Sequence, residues 1–263
     1  MANTVALHFT EKGQGTPIVL IHGFPLSSAI WTEQQVALSD HYHVITPDLR
    51  GYGQSPAPDG PHSMDVHAAD VLALLDTLNI PKAVIIGHSM GGYVTLAAWR
   101  LAPERFLGLG LVSSQAVGDT PEASQGRFQM AEAIFIKGSA AAADAMIPRF
   151  FPASLPDDEA GIVEQVRNII LNTRAAGLIA SLKGMAARPD STPDLSGITV
   201  PVLILTGDND QIIPPARAEA MAAQIPNVML VNVEEAGHVP MLEQPHATTM
   251  AIRNFLATIG HVS

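Results

Sequence analysis

Short apolar runs alternate with longer amphipathic ones along most of the chain. Ile18–Ile21, Ala83–Ile86 and Leu107–Val112 are almost entirely apolar, as expected of strands buried on both faces of a parallel sheet. His43–Thr46, Val200–Thr206 and Val228–Val233 read as further strands. Thr4–Thr10 alternates more weakly and then meets Glu-Lys-Gly-Gln-Gly, which predicts a hairpin-like turn before Pro17. Between these runs the period changes. In Asp65–Leu78, the residues Val66, Ala69, Leu72, Leu75 and their neighbours recur at helical spacing. Ser28–Leu38, Gly91–Leu101, Pro215–Gln224 and Gln244–Ile259 also read as helices. Strands alternating with helices of this length predict an α/β fold with a mostly parallel, doubly wound sheet.

The alternation stops between about Gln115 and Gly197. This span predicts only helices, at Pro121–Lys137, Ala140–Phe150, Asp157–Asn172 and Arg174–Ala187. The expected organisation is therefore a core of residues 1–114 and 198–263, with 115–197 inserted as a helical cap over one end of the sheet.

Composition narrows the function. At 47% hydrophobic and 15% charged residues, the chain can bury a large core. A net charge of −11 without any Lys/Arg cluster argues against nucleic acid or an anionic membrane as partner. The absence of cysteine removes disulfides, thiolate metal sites and a Cys nucleophile. No basic segment followed by an apolar one opens the chain, and no run approaches the roughly 18 apolar residues that span a bilayer. The expectation is a soluble, cytoplasmic protein, monomeric or homodimeric, acting on a small molecule.

Ligand sites in such sheets lie beyond the carboxyl ends of the strands, so polar residues there are the candidates. Gly87-His88-Ser89-Met90-Gly91 sits where the strand Ala83–Ile86 gives way to a helix. A G-x-S-x-G step of this kind is a nucleophile elbow, which lifts the serine hydroxyl clear of the sheet. A serine needs a base. Of ten histidines, His238 follows the strand Val228–Val233 in a glycine-flanked loop at the same edge. The imidazole in turn needs an orienting carboxylate. Asp208 and Asp210 both follow Val200–Thr206. Asp210 is favoured because the first residues past a strand make the turn, which gives Asp208 the turn-shaping role. Backbone amides of Met90 and of Phe24, in the His22-Gly23-Phe24-Pro25 loop, are the expected oxyanion donors. His22 and His88 read as hydrogen-bonded scaffold.

HGFP at 22–25, DLRGYGQS at 48–55, GHSMGG at 87–92, GDNDQIIP at 207–214 and AGHVPMLEQP at 236–245 together resemble the α/β-hydrolase superfamily. More narrowly, the chain is similar to its small, single-domain carboxylesterases and lactonases. The resemblance implies the α/β-hydrolase fold with a catalytic Ser89, Asp210 and His238 in that chain order. It also implies a scaffold role for Asp48 and Arg50, and Glu243 looks like a helix-start residue. Dehalogenases and epoxide hydrolases of this fold carry an aspartate where this chain has Ser89. Perhydrolases share the HGFPLS start but differ after the elbow.

The expected activity is hydrolysis of carboxylic esters of small to medium size through an acyl-enzyme, with no metal or organic cofactor. The alternatives are another reaction on the same triad (lactone hydrolysis, perhydrolysis, C–C bond hydrolysis or hydroxynitrile lysis) and a slow-turnover ligand receptor of the same fold. The expected substrate pocket draws Phe24, Leu26 and Trp31 from the core. From the cap it draws Phe128, Met130, Ile134, Phe135, Met146, Phe150 and Phe151, with Val239 and Met241 beside His238.

Overall fold

The computed structural model describes residues 4–151 and 160–259. Among them, seven strands form one sheet in the order β1-β3-β2-β4-β5-β6-β7. The strands are β1 (Phe9–Lys12), β2 (Thr16–Ile21), β3 (Tyr42–Pro47), β4 (Ala83–His88), β5 (Phe106–Val112), β6 (Val202–Gly207) and β7 (Val228–Val233). All neighbours pair in parallel except β1 with β3. β4 lies at the centre and every one of its residues is buried, the environment its Ala-Val-Ile-Ile run anticipates. β7, at the edge, is only partly covered.

The start of the chain differs from expectation. β1 begins later than Thr4 and forms no hairpin with β2, because β3 lies between them. Side chains fix that choice. Thr10 Oγ1 bonds Thr46 Oγ1 across the β1–β3 pair at 2.8 Å, and Gln35 Nε2 donates to both hydroxyls at 3.0 Å. Local turn chemistry marks that the chain bends at Gly13–Gly15. It does not say which strand waits on the other side.

The helices flank the sheet: α1 (Thr32–Leu38), α2 (Met64–Thr77), α3 (Met90–Leu101), α8 (Pro215–Ala222), α9 (Pro240–Glu243) and α10 (Pro245–Ile259). Their starts follow capping rules. Ser63 Oγ accepts from Val66 N at the head of α2, satisfying one of the orphan amides there. The expected helix at 28–38 divides into a 3-10 turn, Ser28–Trp31, and α1.

Between β5 and β6 come α4 (Pro121–Lys137), α5 (Ala140–Phe150), α6 (Ala160–Leu171) and α7 (Ala175–Ala186). The expected first turn of α6, from Asp157, lies outside the described residues. Thr120 Oγ1 caps α4 through Ala123 N, with Pro121 at the first helical position. α4 packs on α7 and α5, and α5 packs on α6. The group is tied to the strand-end loops by long-range bonds. His62 N donates to Ala180 O at 3.1 Å, Arg174 Nη1 to Ser55 O at 2.6 Å, and His238 N to Phe150 O at 2.7 Å. Among the described residues no helix is long and apolar enough to cross a membrane.

Candidate active site

The parallel strands deliver their carboxyl ends to one edge, and the polar residues gather there. Ser89 sits between β4 and α3 with φ 50° and ψ −114°, a left-handed conformation that costs a non-glycine residue about 1–3 kcal/mol. The two glycines of the elbow make it possible. A Cβ on Gly87 would lie 2.1 Å from Gly91 O, and one on Gly91 would lie 2.6 Å from Ile21 O. Strand, turn and helix therefore touch through bare backbone. Ser89 N donates to Val112 O at 2.8 Å and Ser114 Oγ to Ser89 O at 2.9 Å, which holds the turn from the β5 side.

Ser89 Oγ lies 3.0 Å from His238 Nε2, and His238 Nδ1 lies 2.8 Å from Asp210 Oδ2. A carboxylate only accepts, so Nδ1 carries the proton and Nε2 is left to accept from the serine hydroxyl. The other Asp210 oxygen accepts from Ile212 N at 2.8 Å and Ile213 N at 2.9 Å. Burial alone would raise this carboxyl. The His238 charge and hydrogen bond, with the Ile213 and Ile212 amides, outweigh it and hold Asp210 below the usual carboxylate range.

Asp208, the other candidate, is exposed and bonds Asn209 Nδ2. The turn-shaping bonds expected of Asp208 are made by Asp210, whose side chain closes the turn and reaches the histidine together.

The His238 loop is held on several sides. Glu243 is buried, and its carboxylate accepts from Gly237 N at 2.8 Å and Val239 N at 2.9 Å. It thus clamps the residues on either side of His238, a role that reading it as a helix-start residue missed. It ends α9 and does not begin a helix. Phe150 is fully buried with its ring stacked on the imidazole, 5.6 Å between centroids and 8° between planes. His88 Nε2 donates to His238 O at 2.8 Å, tying elbow to loop.

His22 accepts from Leu49 N through Nε2 at 3.0 Å, so its proton is on Nδ1, facing Gly23 O. Asp48 accepts from Ser28 N and Gln54 N. Both residues brace loops at the strand ends, and Arg50 pairs with Asp70 at 2.5 Å.

The HGFP loop lies directly against the elbow. A Cβ on Gly23 would come 3.0 Å from Ser89 Cβ and 2.6 Å from His88 Nδ1, so the loop that carries Phe24 abuts the elbow. Met90 is the first residue of α3, and its N–H has no intrahelical acceptor. The Met90 side chain is buried and receives Tyr52 Oη at Sδ, 3.8 Å.

A cavity of about 420 Å³ adjoins this edge. Its wall includes Phe24, Tyr93, Ile212 and Ile213 from the core, with Met130, Met146, Arg127 and Arg149 from α4 and α5. Of the residues expected in the pocket, Phe24, Met130 and Met146 are on this wall. Leu26 and Trp31 are not; both are fully buried in the core. Phe128 and Phe135 are 51% and 81% exposed. They lie seven residues apart on α4 and so share one face, while Met130, two residues from Phe128, falls on the opposite side of a helix turning about 100° per residue. Ile134 and Val239 are fully buried, and Phe151 and Met241 nearly so or fully. Arg127 and Arg149 escaped the sequence reading because arginine on a helix ordinarily marks a solvated face.

Sequence and structure comparisons identify the fold family. Residues 16–245 match the alpha/beta hydrolase fold family. The chain belongs to the α/β hydrolases. It is 32% identical to 3-oxoadipate enol-lactonase 2 of Acinetobacter baylyi, over 95% of this chain and 93% of that protein. Among solved structures, a thermophilic esterase from Thermogutta terrifontis is 40% identical with a TM-score of 0.94, covering 96% of this chain and 93% of the esterase. The enol-lactonase of Burkholderia xenovorans LB400 is 31% identical with a TM-score of 0.89, covering 95% and 96%. As in other α/β hydrolases the sheet is mostly parallel, with helices around it.

The buried histidines of this α/β hydrolase make a stability prediction. Burial, then the neighbouring His238 charge, lowers His88 to about 3. Burial likewise lowers His22 and lowers His67 well below the ordinary range. The unfolded chain binds these protons below about 6.5 and the folded chain does not. Stability is therefore full above that pH and falls on acidification, for His88 by about 1.4 kcal/mol per pH unit, with His22 and His67 acting in the same direction. Urea titrations from pH 7 to 4 are expected to show this slope, and His88→Gln is expected to reduce it by one proton. An unchanged slope in His88→Gln would show that His88 is protonated in the folded state.

Proposed function

We propose that the protein is a serine hydrolase of small to medium carboxylic esters. The observation that carries this reading is the continuous hydrogen-bonded chain Asp210–His238–Ser89, whose neighbouring loops supply Phe24, Ile212 and Ile213 to a cavity of ligand size. In the proposed cycle Ser89 Oγ attacks the ester carbonyl carbon while its proton passes to His238 Nε2. Asp210 keeps the imidazole in the reactive tautomer and stabilises the imidazolium. The Met90 and Phe24 amides donate to the tetrahedral oxyanion, each contributing roughly 3–4 kcal/mol by analogy with other oxyanion donors. The carbon–oxygen bond breaks as His238 returns the proton to the departing alcohol. Water then adds to the acyl-enzyme by the same route and releases the acid. The helices α4–α7 act as the cap, and through Met130 and Met146 they supply much of the pocket wall.

Lactone hydrolysis is a second reading, favoured by the similarity to two enol-lactonases. It uses identical steps with the alcohol still tethered to the acyl group.

Fluorophosphonate labelling with mass-spectrometric mapping tests the assignment. A single adduct on Ser89 is expected, absent in Ser89→Ala. A panel of p-nitrophenyl esters from acetate to octanoate is expected to show best turnover at short to medium chains. Labelling that survives Ser89→Ala, or no turnover of any ester, would count against the reading.

A further inference from the structure

The chain as a whole is acidic, at −11, yet one wall of the cavity carries a surplus of positive charge. Asp119 lines the cavity and receives two guanidinium groups. Arg127 bonds it through Nε and Nη2, and Arg188 through Nη1 at 2.5 Å. Among the lining residues, Asp119 is the carboxylate facing Arg127 and Arg149. Arg188 is committed elsewhere as well: it is buried, bonds Val117 O at 2.9 Å and lies 4.1 Å over the Tyr93 ring. Arg127 is committed too: beyond its two bonds to Asp119, its Nη1 meets Met185 Sδ at 3.3 Å and its guanidinium donates to the Tyr93 hydroxyl.

Arg149 adds a further cation. It lies in the last turn of α5, lines the same cavity, and has no ion pair among the described residues. Its position is fixed relative to the triad, because the next residue, Phe150, stacks on His238 and accepts its amide hydrogen. Met130, Met146 and Ile213 line the remaining space with apolar surface.

We propose that this cavity holds the far end of a substrate that carries a carboxylate, with Arg149 as its recognition group. Resting on the hydrolase reading, this names the substrate class as half-esters of dicarboxylic acids. The apolar wall takes a short methylene spacer, and the Arg149 guanidinium offers the planar N–H pair that matches a carboxylate. Surplus cation in a pocket of an anionic protein favours an anionic terminus over a neutral one.

The test pairs two esters of equal length, p-nitrophenyl hydrogen glutarate and p-nitrophenyl pentanoate, which differ only in a carboxylate against a methyl group. In the wild-type protein kcat/KM is expected to favour the glutarate ester, and about 0.5 M salt is expected to shrink that preference by screening. Arg149→Gln is expected to lower the ratio about tenfold, mainly through KM for the glutarate ester, as loss of one charged hydrogen-bonding partner implies. Arg149→Lys restores part of it, and Arg149→Glu inverts it. Arg149 is exposed, so these variants keep the fold. Calorimetry of glutarate binding to Ser89→Ala is the second arm, with binding expected there and lost in the Ser89→Ala, Arg149→Glu double variant. Equal ratios in all variants, or no glutarate binding, would overturn the subsite. If neither ester is cleaved, the hydrolase reading fails by itself, while glutarate binding still decides the subsite.

Discussion

Ser89→Ala is expected to lower kcat about 10⁵-fold, with KM changed little, when initial rates are followed on a short-chain p-nitrophenyl ester. The reasoning follows the hydrogen-bonded chain. Among the described residues Ser89 Oγ is the one hydroxyl bonded to His238 Nε2, and its loss removes the covalent route entirely. What remains is the oxyanion hole and binding, which in serine hydrolases support roughly 10³–10⁴-fold catalysis over water after loss of the nucleophile. The elbow survives the substitution, because alanine is no larger than serine and the backbone there is fixed by Gly87, Gly91 and the bond to Val112 O. A variant that folds and keeps more than about a tenth of the wild-type kcat would be incompatible with Ser89 as nucleophile.

Asp210→Asn is expected to lower kcat about 10⁴-fold, by analogy with other triads, whereas Asp208→Asn is expected to change it less than about threefold, as surface substitutions do. The contrast rests on placement. Asp210 is 4% exposed and bonded to His238 Nδ1, while Asp208 faces solvent beside Asn209. An asparagine amide at 210 offers a donor where the carboxylate accepted, which favours the wrong imidazole tautomer. The same substitution disturbs the amides of Ile212 and Ile213 only mildly, since the retained carbonyl oxygen still accepts from them. Thermal denaturation therefore separates a chemical defect from an unfolded one. Equal losses at 208 and 210 would remove the orienting role from Asp210.

The sites of greatest functional interest differ in how they are written into the chain. Ser89 announces itself, because the elbow is a local object: a buried strand, two glycines and a helix start within a few residues. His238 and the aspartate pair are visible by the same logic, as polar residues just past apolar runs. Choosing between Asp208 and Asp210 is harder, since both lie on one tight turn and only the direction of approach of the His238 loop separates them. It is Asp210 that bonds His238, yet Asp210 and not Asp208 also shapes the turn. Glu243 illustrates the opposite case. Nothing in HVPMLE distinguishes an exposed helix-end carboxylate from one folded back to hold two amides.

The sequence by itself determined the parallel core, the strand that carries Ser89 and the order Ser, Asp, His, because each depends on short-range patterns of burial and turn chemistry. Tertiary structure decided the placement of β3 between β1 and β2, which faces of α4 line the cavity, and the stacking of Phe150 on His238. It also gathered Arg127, Arg188 and Asp119 into one cluster. These are contacts between segments far apart in the chain, set by how helices seat on the sheet. An arginine or phenylalanine on an amphipathic helix carries no local mark of what it will meet.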